Sequence, residues 1–329
     1  MAASHAMPGE VSGYVTALER EAEREVRASE ARLASTVLEA VTRARQARLA
    51  VAIARATVLI QAARLETARE AETRVRARLT AGADTDVVLA LAERERAEAE
   101  ADLASARERE ARAVMAFRRA IDLNHDAEVR VAPWDRPAPV TPDELAAAVA
   151  RAPRQRQDVA ALDLTALRLD ASESRIARST VAPLVIGLEG QQVATGPQTL
   201  EASVGASLRW ELPLVQRAQG ERAMVRAEAS GNRVRASLLR REVGREVTEA
   251  AQALTQTLAE LDALERSATP AAERLVRVTE AAFAAGSLDF FRVLVARREL
   301  LELRARTLRT VESAWNARFE YERAVGGVL

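Results

Sequence analysis

The chain has 329 residues, and its 48 basic and 48 acidic side chains cancel, so no net field attracts nucleic acid. It has no cysteine, which excludes disulfides and thiolate metal sites, and its 3% aromatic content suits thin helix–helix seams better than a thick globular core. No run of about 18 apolar residues is present, so we expect no membrane-spanning helix, and the first residues do not form a secretory signal.

The chain contains two copies of one motif, AGADTDVVLALAERE at 81–95 and AGSLDFFRVLVARRE at 285–299, related by a shift of 204 residues. Helix-forming residues dominate on both sides of Gly82 and Gly286, where a chain reversal needs the backbone freedom of glycine. Each copy therefore predicts a long helix, a turn and a second long helix. We expect one helical hairpin over residues 1–128 and a second over 215–329.

Seven-residue spacing marks the returning helix of each copy and predicts a left-handed coiled coil. Large side chains in the second copy align with alanines in the first, which suggests that the two rows interdigitate. The rows are Leu294, Leu301, Leu308 and Trp315 in the second copy, and Ala90, Ala97, Ala104 and Ala111 in the first. An ordinary amphipathic stripe explains the same spacing and remains the alternative.

Residues 129–178, between the two copies, read as a connector with two helices. Four prolines within 133–142 predict an extended segment, and Thr141 and Glu144 form the pattern of a capping box. A short helix is expected to end at Pro153, and a longer one spans about 155–178. At the two tips, the returning helices have candidate caps in Thr85 or Asp84 and in Ser287 or Asp289.

Residues 179–214 predict a β-hairpin whose second strand alternates strictly between apolar and polar residues. A strand of about 14 residues extends about 45 Å, which matches a tilted membrane strand of about 9–11 residues with some overhang. The expected lipid-facing residues are Leu200, Val204, Leu208 and Trp210, and the expected lumen-facing residues are Glu201, Ser203, Ser207, Arg209 and Glu211. A strand half-buried on a globular sheet is the alternative.

Five segments follow one another in order along the chain: RAPRQRQDVAAL (151–162), ARSTVAPLVIGLEGQQ (177–192), SVGASLRWELPL (203–214), AAFAAGSLDFFRVLVARREL (281–300) and the closing AVGG. This ordered series resembles the TolC family of outer-membrane efflux proteins, which serve tripartite efflux pumps and type I secretion. The resemblance runs from about residue 8 to residue 329.

The resemblance implies a mainly α protein whose long antiparallel coiled-coil hairpins form a periplasmic tunnel. The inserted β-hairpin would contribute to a trimeric membrane β-barrel in the outer membrane. Solutes would pass through the homotrimer, whose partners would be a periplasmic adaptor (a membrane fusion protein), an inner-membrane transporter and outer-membrane lipid. The adaptor-facing tip would comprise Gly82, Ala83, Asp84, Asp86, Gly286, Ser287, Leu288 and Asp289. A ring of these aspartates would favour cations, unless they only cap helices.

The chain departs from the family pattern because the first copy lacks the strand pair that precedes the second. We therefore expect an N-terminal truncation, with six rather than twelve strands in a trimer. A soluble periplasmic coiled-coil scaffold without transport is the alternative function. The sequence shows no nucleophile–base constellation, and neither His5 nor His125 has a partner at the i, i+4 spacing of a helix. We therefore expect no enzyme, catalytic residue, metal, cofactor or nucleic-acid partner.

Overall fold

The computed structural model describes residues 13–82, 85–124, 126–132, 134–179, 184–196, 199–210 and 218–327. Most of these residues are helical, as the Ala-rich, Arg/Glu-rich composition predicts. The helices are α1 (Tyr14–Thr80), α2 (Asp86–Ala120), α3 (Pro142–Gln155), α4 (Gln157–Ser179), α5 (Gln219–Ala263), α6 (Thr269–Ala284) and α7 (Phe290–Val325). The strands are β1 (Leu184–Gly196) and β2 (Thr199–Trp210). No helix among the described residues is both long enough and apolar enough to cross a membrane.

The chain divides into two compact units, and helices α1 and α5 contribute to both. The first unit contains Met1–Thr36 and Pro153–Glu242, and the second contains Val37–Ala152 and Val243–Leu329. In the first unit, ion pairs connect α4 to its neighbours. Arg175 of α4 contacts Glu21 of α1 at 2.6 Å, and Arg222 of α5 contacts Glu173 of α4 at 2.6 Å.

Strands β1 and β2 pair antiparallel in the segment where the sequence predicts strands. Leu184 lies opposite Trp210, and Ala194 lies opposite Leu200. Directly opposed residues share one face of an antiparallel pair, so even-numbered positions of both strands belong to one face. The strands contain 13 and 12 residues, well above the five or six of an average globular strand. The turn at 197–198 lies outside the described residues.

In the second unit, the helices pack through narrow seams of alanine and leucine. Helices α1 and α2 bury Leu65, Ala68, Ala99 and Leu103 between them. A second seam joins α5 to α7 and buries Leu254, Leu258 and Ala314. Small side chains allow such helices to approach closely, and the low aromatic content of the chain is consistent with this packing.

The predicted interdigitation of the alanine and leucine rows does not occur within the chain. Ala90, Ala97, Ala104 and Ala111 are all exposed. The buried row of α2 keeps the seven-residue spacing but lies two residues later, at Ala92, Ala99 and Ala106. The period was therefore predicted correctly and the phase was not. An Ala-rich helix carries alanine on several faces, so alanine alone does not identify the buried one.

The capping box at the start of α3 is present as predicted. The Thr141 backbone N–H donates to the Glu144 carboxylate at 2.9 Å, and the Glu144 N–H donates to the Thr141 hydroxyl at 3.3 Å. The backbone hydrogen bond from Thr141 lowers the pKa of Glu144. The predicted end of this helix at Pro153 is wrong, because α3 continues to Gln155. The missing N–H of Pro153 leaves the carbonyl four residues earlier without its helical donor, and the helix ends two residues after the proline.

A π-helical turn separates α5 from α6, a feature that the sequence analysis did not predict. It spans Leu264–Ala268 and directly precedes α6, whose first turn contains Pro270. Proline cannot donate a backbone hydrogen bond, and its ring clashes with a helical carbonyl four residues earlier. The wider π turn falls where this proline would otherwise strain a continuous helix.

The connector is held against α7 by aromatic side chains. Trp134 packs edge-on against Trp315, with ring centroids 4.7 Å apart, and also contacts Phe319. The Trp315 indole N–H donates to the Asp135 carbonyl at 2.6 Å, and the Arg48 guanidinium of α1 lies 4.7 Å from the Trp134 ring. These contacts therefore hold the Pro-rich segment against α7 and α1.

Candidate functional site

The two predicted tips have closely matched turns. Gly82 has a φ of +72° and Gly286 a φ of +73°, and a Cβ atom at either position would meet nothing within 4 Å. The backbone angle, rather than a lack of space, is therefore what favours glycine. After α6, the Gly286 N–H donates to the Phe283 carbonyl and the Ser287 N–H to the Ala282 carbonyl, which forms a Schellman motif.

The candidate caps occupy the right places but do not all act as predicted. Thr85 is the N-cap residue of α2 and Asp289 that of α7, yet neither side chain makes a capping hydrogen bond. The Ser287 hydroxyl donates to the Ala282 carbonyl at 2.9 Å. It therefore closes the preceding helix and does not cap the returning one.

The other predicted tip residues lie at exposed ends of the helices. Asp86 is the first residue of α2 and is exposed, and the Leu288 side chain is 37% exposed. Ala83 and Asp84 lie outside the described residues. The described turn residues thus present an accessible surface, and the structure does not test their predicted role.

Next to the turns, an ion-paired triad joins three helices from the two hairpins. The Arg297 guanidinium of α7 donates to Glu280 of α6 at 2.8 Å and to Glu70 of α1 at 2.7 Å. Burial acts to lower the pKa of Arg297, but the hydrogen bonds to the two carboxylates outweigh it and raise the pKa above its ordinary value. This triad connects the first hairpin directly to the second.

An arginine–phenylalanine stack reinforces the same connection. The Arg74 guanidinium of α1 lies 4.3 Å from the ring centroid of Phe290 and 5.5 Å from that of Phe283. Phe290 is 5% exposed and packs with Ala71 and with Val293. The sequence patterns above did not predict this cluster. A signal was available, because three of the five phenylalanines in the chain lie between residues 283 and 291.

The first hairpin has its own ion-pair network at the corresponding level. Arg76 of α1 contacts Glu72 at 2.6 Å and Glu93 of α2 at 3.1 Å. The buried Glu72 carboxylate also accepts a contact from Arg96 at 2.6 Å. The helices of this hairpin are thus joined across their seam by alternating charges.

A cleft of about 340 Å³ lies between α2 and α7 close to the tips. Its walls include Leu91, Phe291 and Val295, whose side chains are 40–54% exposed. Arg298 of α7 reaches across to Glu95 of α2 at 3.9 Å. The cleft therefore combines an accessible apolar lining with charged edges. Among the residues that the structure describes, no acidic, histidine or cysteine cluster could hold a metal ion.

The predicted membrane-facing residues fall on β2, apart from Glu211, which lies outside the described residues. The register places Arg209 opposite Val185 and Ser207 opposite Gly187, while Leu208 lies opposite Ile186. Polar and apolar positions therefore alternate between the two faces along β2, although Val185 of β1 belongs to the same face as Arg209. Which face contacts lipid remains a prediction.

Comparison with solved structures identifies the fold. The chain is similar to CusC, solved in a study of folding and transmembrane channel formation, with 15% identity over 96% of this chain and 75% of that one and a TM-score of 0.75. The outer-membrane protein VceC of Vibrio cholerae gives 17% identity, 97% and 77% coverage, and a TM-score of 0.76. The open outer-membrane channel MtrE of Neisseria gonorrhoeae matches with 17% identity over 96% of this chain and 72% of that one, and with a TM-score of 0.72.

Neither a protein-family model nor a curated protein sequence matches the chain. At 15–17% identity, the structural matches establish the fold. They confirm the resemblance that the ordered sequence segments indicated, because the matched proteins are TolC-like outer-membrane channels. Over nearly its whole length, this chain has the fold of the TolC-like outer-membrane channels.

Proposed function

We propose that the chain is the outer-membrane channel component of a tripartite efflux or type I secretion system. Three copies would form a tunnel through which solutes pass without covalent chemistry. The observation that carries the proposal is the match of 96–97% of the chain to several outer-membrane channels at TM-scores of 0.72–0.76. A match of that extent leaves at most 4% of the chain uncovered.

The strand pair would supply the membrane part of the channel. A lone hairpin leaves its edges unpaired, and unpaired backbone groups are costly in hydrocarbon, so strands from several chains must close a barrel. The apolar positions of β2 would then face lipid and the polar positions would face the lumen. Of the four segments predicted from the sequence, 179–214 would then lie in the membrane and the helical hairpins in the periplasm.

The tips would bind the periplasmic adaptor that links the channel to an inner-membrane transporter. The exposed turns and the neighbouring cleft between α2 and α7 support this role, because accessible apolar walls with charged edges suit a helical partner. Asp86 and Asp289 would lie around the tunnel opening, where three copies of each would favour cations.

Two adjacent residues of β2 test the proposal. Leu208→Glu would place a charge against lipid, which is destabilising, although by less than an arginine or lysine at the middle of a bilayer, which costs about 2–4 kcal/mol. Ser207→Glu would place the same charge in the lumen. We expect Leu208→Glu to abolish recovery of the protein in outer-membrane vesicles, and Ser207→Glu to leave recovery near that of the unmodified chain.

Equal recovery of the two variants would contradict the proposed strand orientation. Recovery of the unmodified chain in the soluble periplasmic fraction, without detergent, would contradict the channel itself. That second outcome would support the alternative of a soluble coiled-coil scaffold.

A further inference from the structure

The repeat shift of 204 residues relates two observed ion pairs with inverted charges. In the second hairpin, Arg297 of α7 contacts Glu280 of α6 at 2.8 Å. The corresponding positions in the first hairpin are Glu93 and Arg76, which contact each other at 3.1 Å. The internal duplication is therefore visible in the contacts as well as in the sequence, although acid and base have exchanged places.

The second-hairpin pair has a third member on the Arg297 side, whereas Glu93, the residue that corresponds to Arg297, forms an ion pair only with Arg76 among the described residues. Arg297 also contacts Glu70, across the boundary between the hairpins, at 2.7 Å. The position corresponding to Glu70 is Arg274 of α6, again with inverted charge. Arg274 is exposed and makes no side-chain ion pair within the described part of the chain.

We propose that Arg274 of one copy completes this second triad by pairing with Glu93 of a neighbouring copy. The contact would reproduce, between copies, the contact that α1 and α7 make within one chain. It would place α6 of one copy against α2 of the next. The proposal rests on the proposed homotrimer and names the residues that join its protomers.

A second pair of positions supports the same arrangement. Within the chain, Arg298 of α7 contacts Glu95 of α2 at 3.9 Å. The position on α2 that corresponds to Arg298 is Arg94, and the position on α7 that corresponds to Glu95 is Glu299. These two residues again carry opposite charges. The Arg94 side chain is 70% exposed and pairs only with Glu98 of its own helix, at 3.4 Å, and Glu299 makes no side-chain ion pair within the described ranges. Two independent position pairs therefore become charge-complementary between copies.

Apolar residues at the same edges agree with this assignment. Ala71 of α1 is 5% exposed and packs on α7 within the chain, whereas its counterpart on α6, Leu275, is 45% exposed. On α2, the counterpart of Phe291 is Val87, which is 69% exposed. Each chain thus presents two different edges, so successive copies would join head to tail and could close into a ring.

Chemical cross-linking tests the proposal, because the chain has no native cysteine. A double variant with Arg274→Cys and Glu93→Cys is treated in detergent with a bis-maleimide whose span matches an Arg–Glu pair. We expect covalent dimers and trimers on a denaturing gel, at least tenfold above those from either single variant. The matched control, Glu70→Cys with Arg297→Cys, should cross-link within one chain and stay at the monomer mass.

Charge exchange gives a second measurement. Arg94→Glu or Glu299→Arg alone should reduce the trimer fraction at a given protein concentration, and the two together should restore it. If the native chain is a trimer but the Arg274–Glu93 variant gives no inter-copy product while the control links, this edge assignment is overturned and the channel proposal stands. If the native chain forms no trimer, the proposed assembly itself fails.

Discussion

The two helical hairpins end in nearly the same turn but differ in what holds their helices together. Gly82 and Gly286 have φ values within a degree of each other. Beside the second turn, Phe283 and Phe290 stack with Arg74, whereas beside the first turn the network is ionic and centres on the buried Glu72. Turn geometry has thus been retained between the copies, while the side-chain chemistry has diverged.

This difference shows which features a duplication preserves when both copies must pack side by side. A positive φ at the turn limits the choice to glycine in both hairpins. Opposite charges, in contrast, can exchange sides without changing the pair, as Arg76–Glu93 and Glu280–Arg297 do. The aromatic cluster has no equivalent in the first hairpin, so the second should depend more strongly on hydrophobic packing.

The largest expected effect therefore comes from the aromatic cluster. Phe290→Ala removes a side chain that is 5% exposed and that contacts Phe283 and Arg74. We expect a loss of about 3–5 kcal/mol in the free energy of unfolding, since the substitution removes buried area and leaves a cavity. Thermal unfolding followed by circular dichroism would measure it.

The adjacent residue provides the control for that prediction. Phe291 is 40% exposed, so Phe291→Ala should cost about 1 kcal/mol or less. Equal losses from the two variants would show that the second hairpin does not depend on the buried cluster.

The next effect tests the similarity of the turns. Gly82→Ala and Gly286→Ala each force a Cβ atom into a positive-φ conformation, at a cost of about 1–2 kcal/mol. Because neither site has a steric neighbour, we expect the two losses to agree closely. Gly231→Ala, in the interior of α5 with open space around it, should instead stabilise the chain by up to about 1 kcal/mol. Unequal losses at the two turns would contradict their equivalence.

A smaller loss of stability is expected at the Thr141–Glu144 capping box. The N-cap residues at the two tips, Thr85 and Asp289, make no such side-chain hydrogen bond. Thr141→Ala removes the side-chain acceptor for the Glu144 N–H and should cost about 1 kcal/mol. Thr85→Ala should cost less, because the Thr85 side chain makes no capping hydrogen bond. A larger loss at Thr85 would show that its hydroxyl caps α2 in solution.

The stability that the capping box contributes should also depend on pH. The pKa of Glu144 is lowered in the folded protein, so its stabilising contribution is present above the ordinary carboxyl pKa. It is lost as the pH falls through the lowered value. The Glu144→Gln variant, which has no carboxylate to titrate, should therefore lose less stability than the unmodified chain between neutral and acid pH.

The smallest effect concerns Glu312 of α7, whose pKa is raised by burial. The folded state penalises its charged form, and this penalty is present above the raised pKa and absent below the ordinary one. Glu312→Gln should stabilise the chain slightly at neutral pH, and the gain should vanish as the solution is acidified. A gain that stays the same after acidification would contradict this account of Glu312.

Sequence patterns predicted features that depend on local chemistry. Glycine at the turns, the Thr141–Glu144 box and the period-two alternation of β2 each reflect a short-range requirement of the backbone. The phase of the α2 seam could not be derived in this way. Alanine occurs on several faces of that helix, so Ala90 and Ala92 look alike until a partner helix is in place.

Contacts between the hairpins were also beyond the sequence patterns. Arg74 and Phe290, or Glu70 and Arg297, are far apart in the chain, and each arginine has many acidic residues with which it could pair. The π turn before α6 is a further example, since Pro270 predicts a disturbance of the helix but not its form. Only the packed helices determine these contacts.

The mass of the purified chain in detergent tests the central claim most directly. A channel of the proposed kind predicts a species of three times the 35.7 kDa chain mass, which aggregates when detergent is removed. A monodisperse 35.7 kDa monomer that stays in solution without detergent would contradict the account.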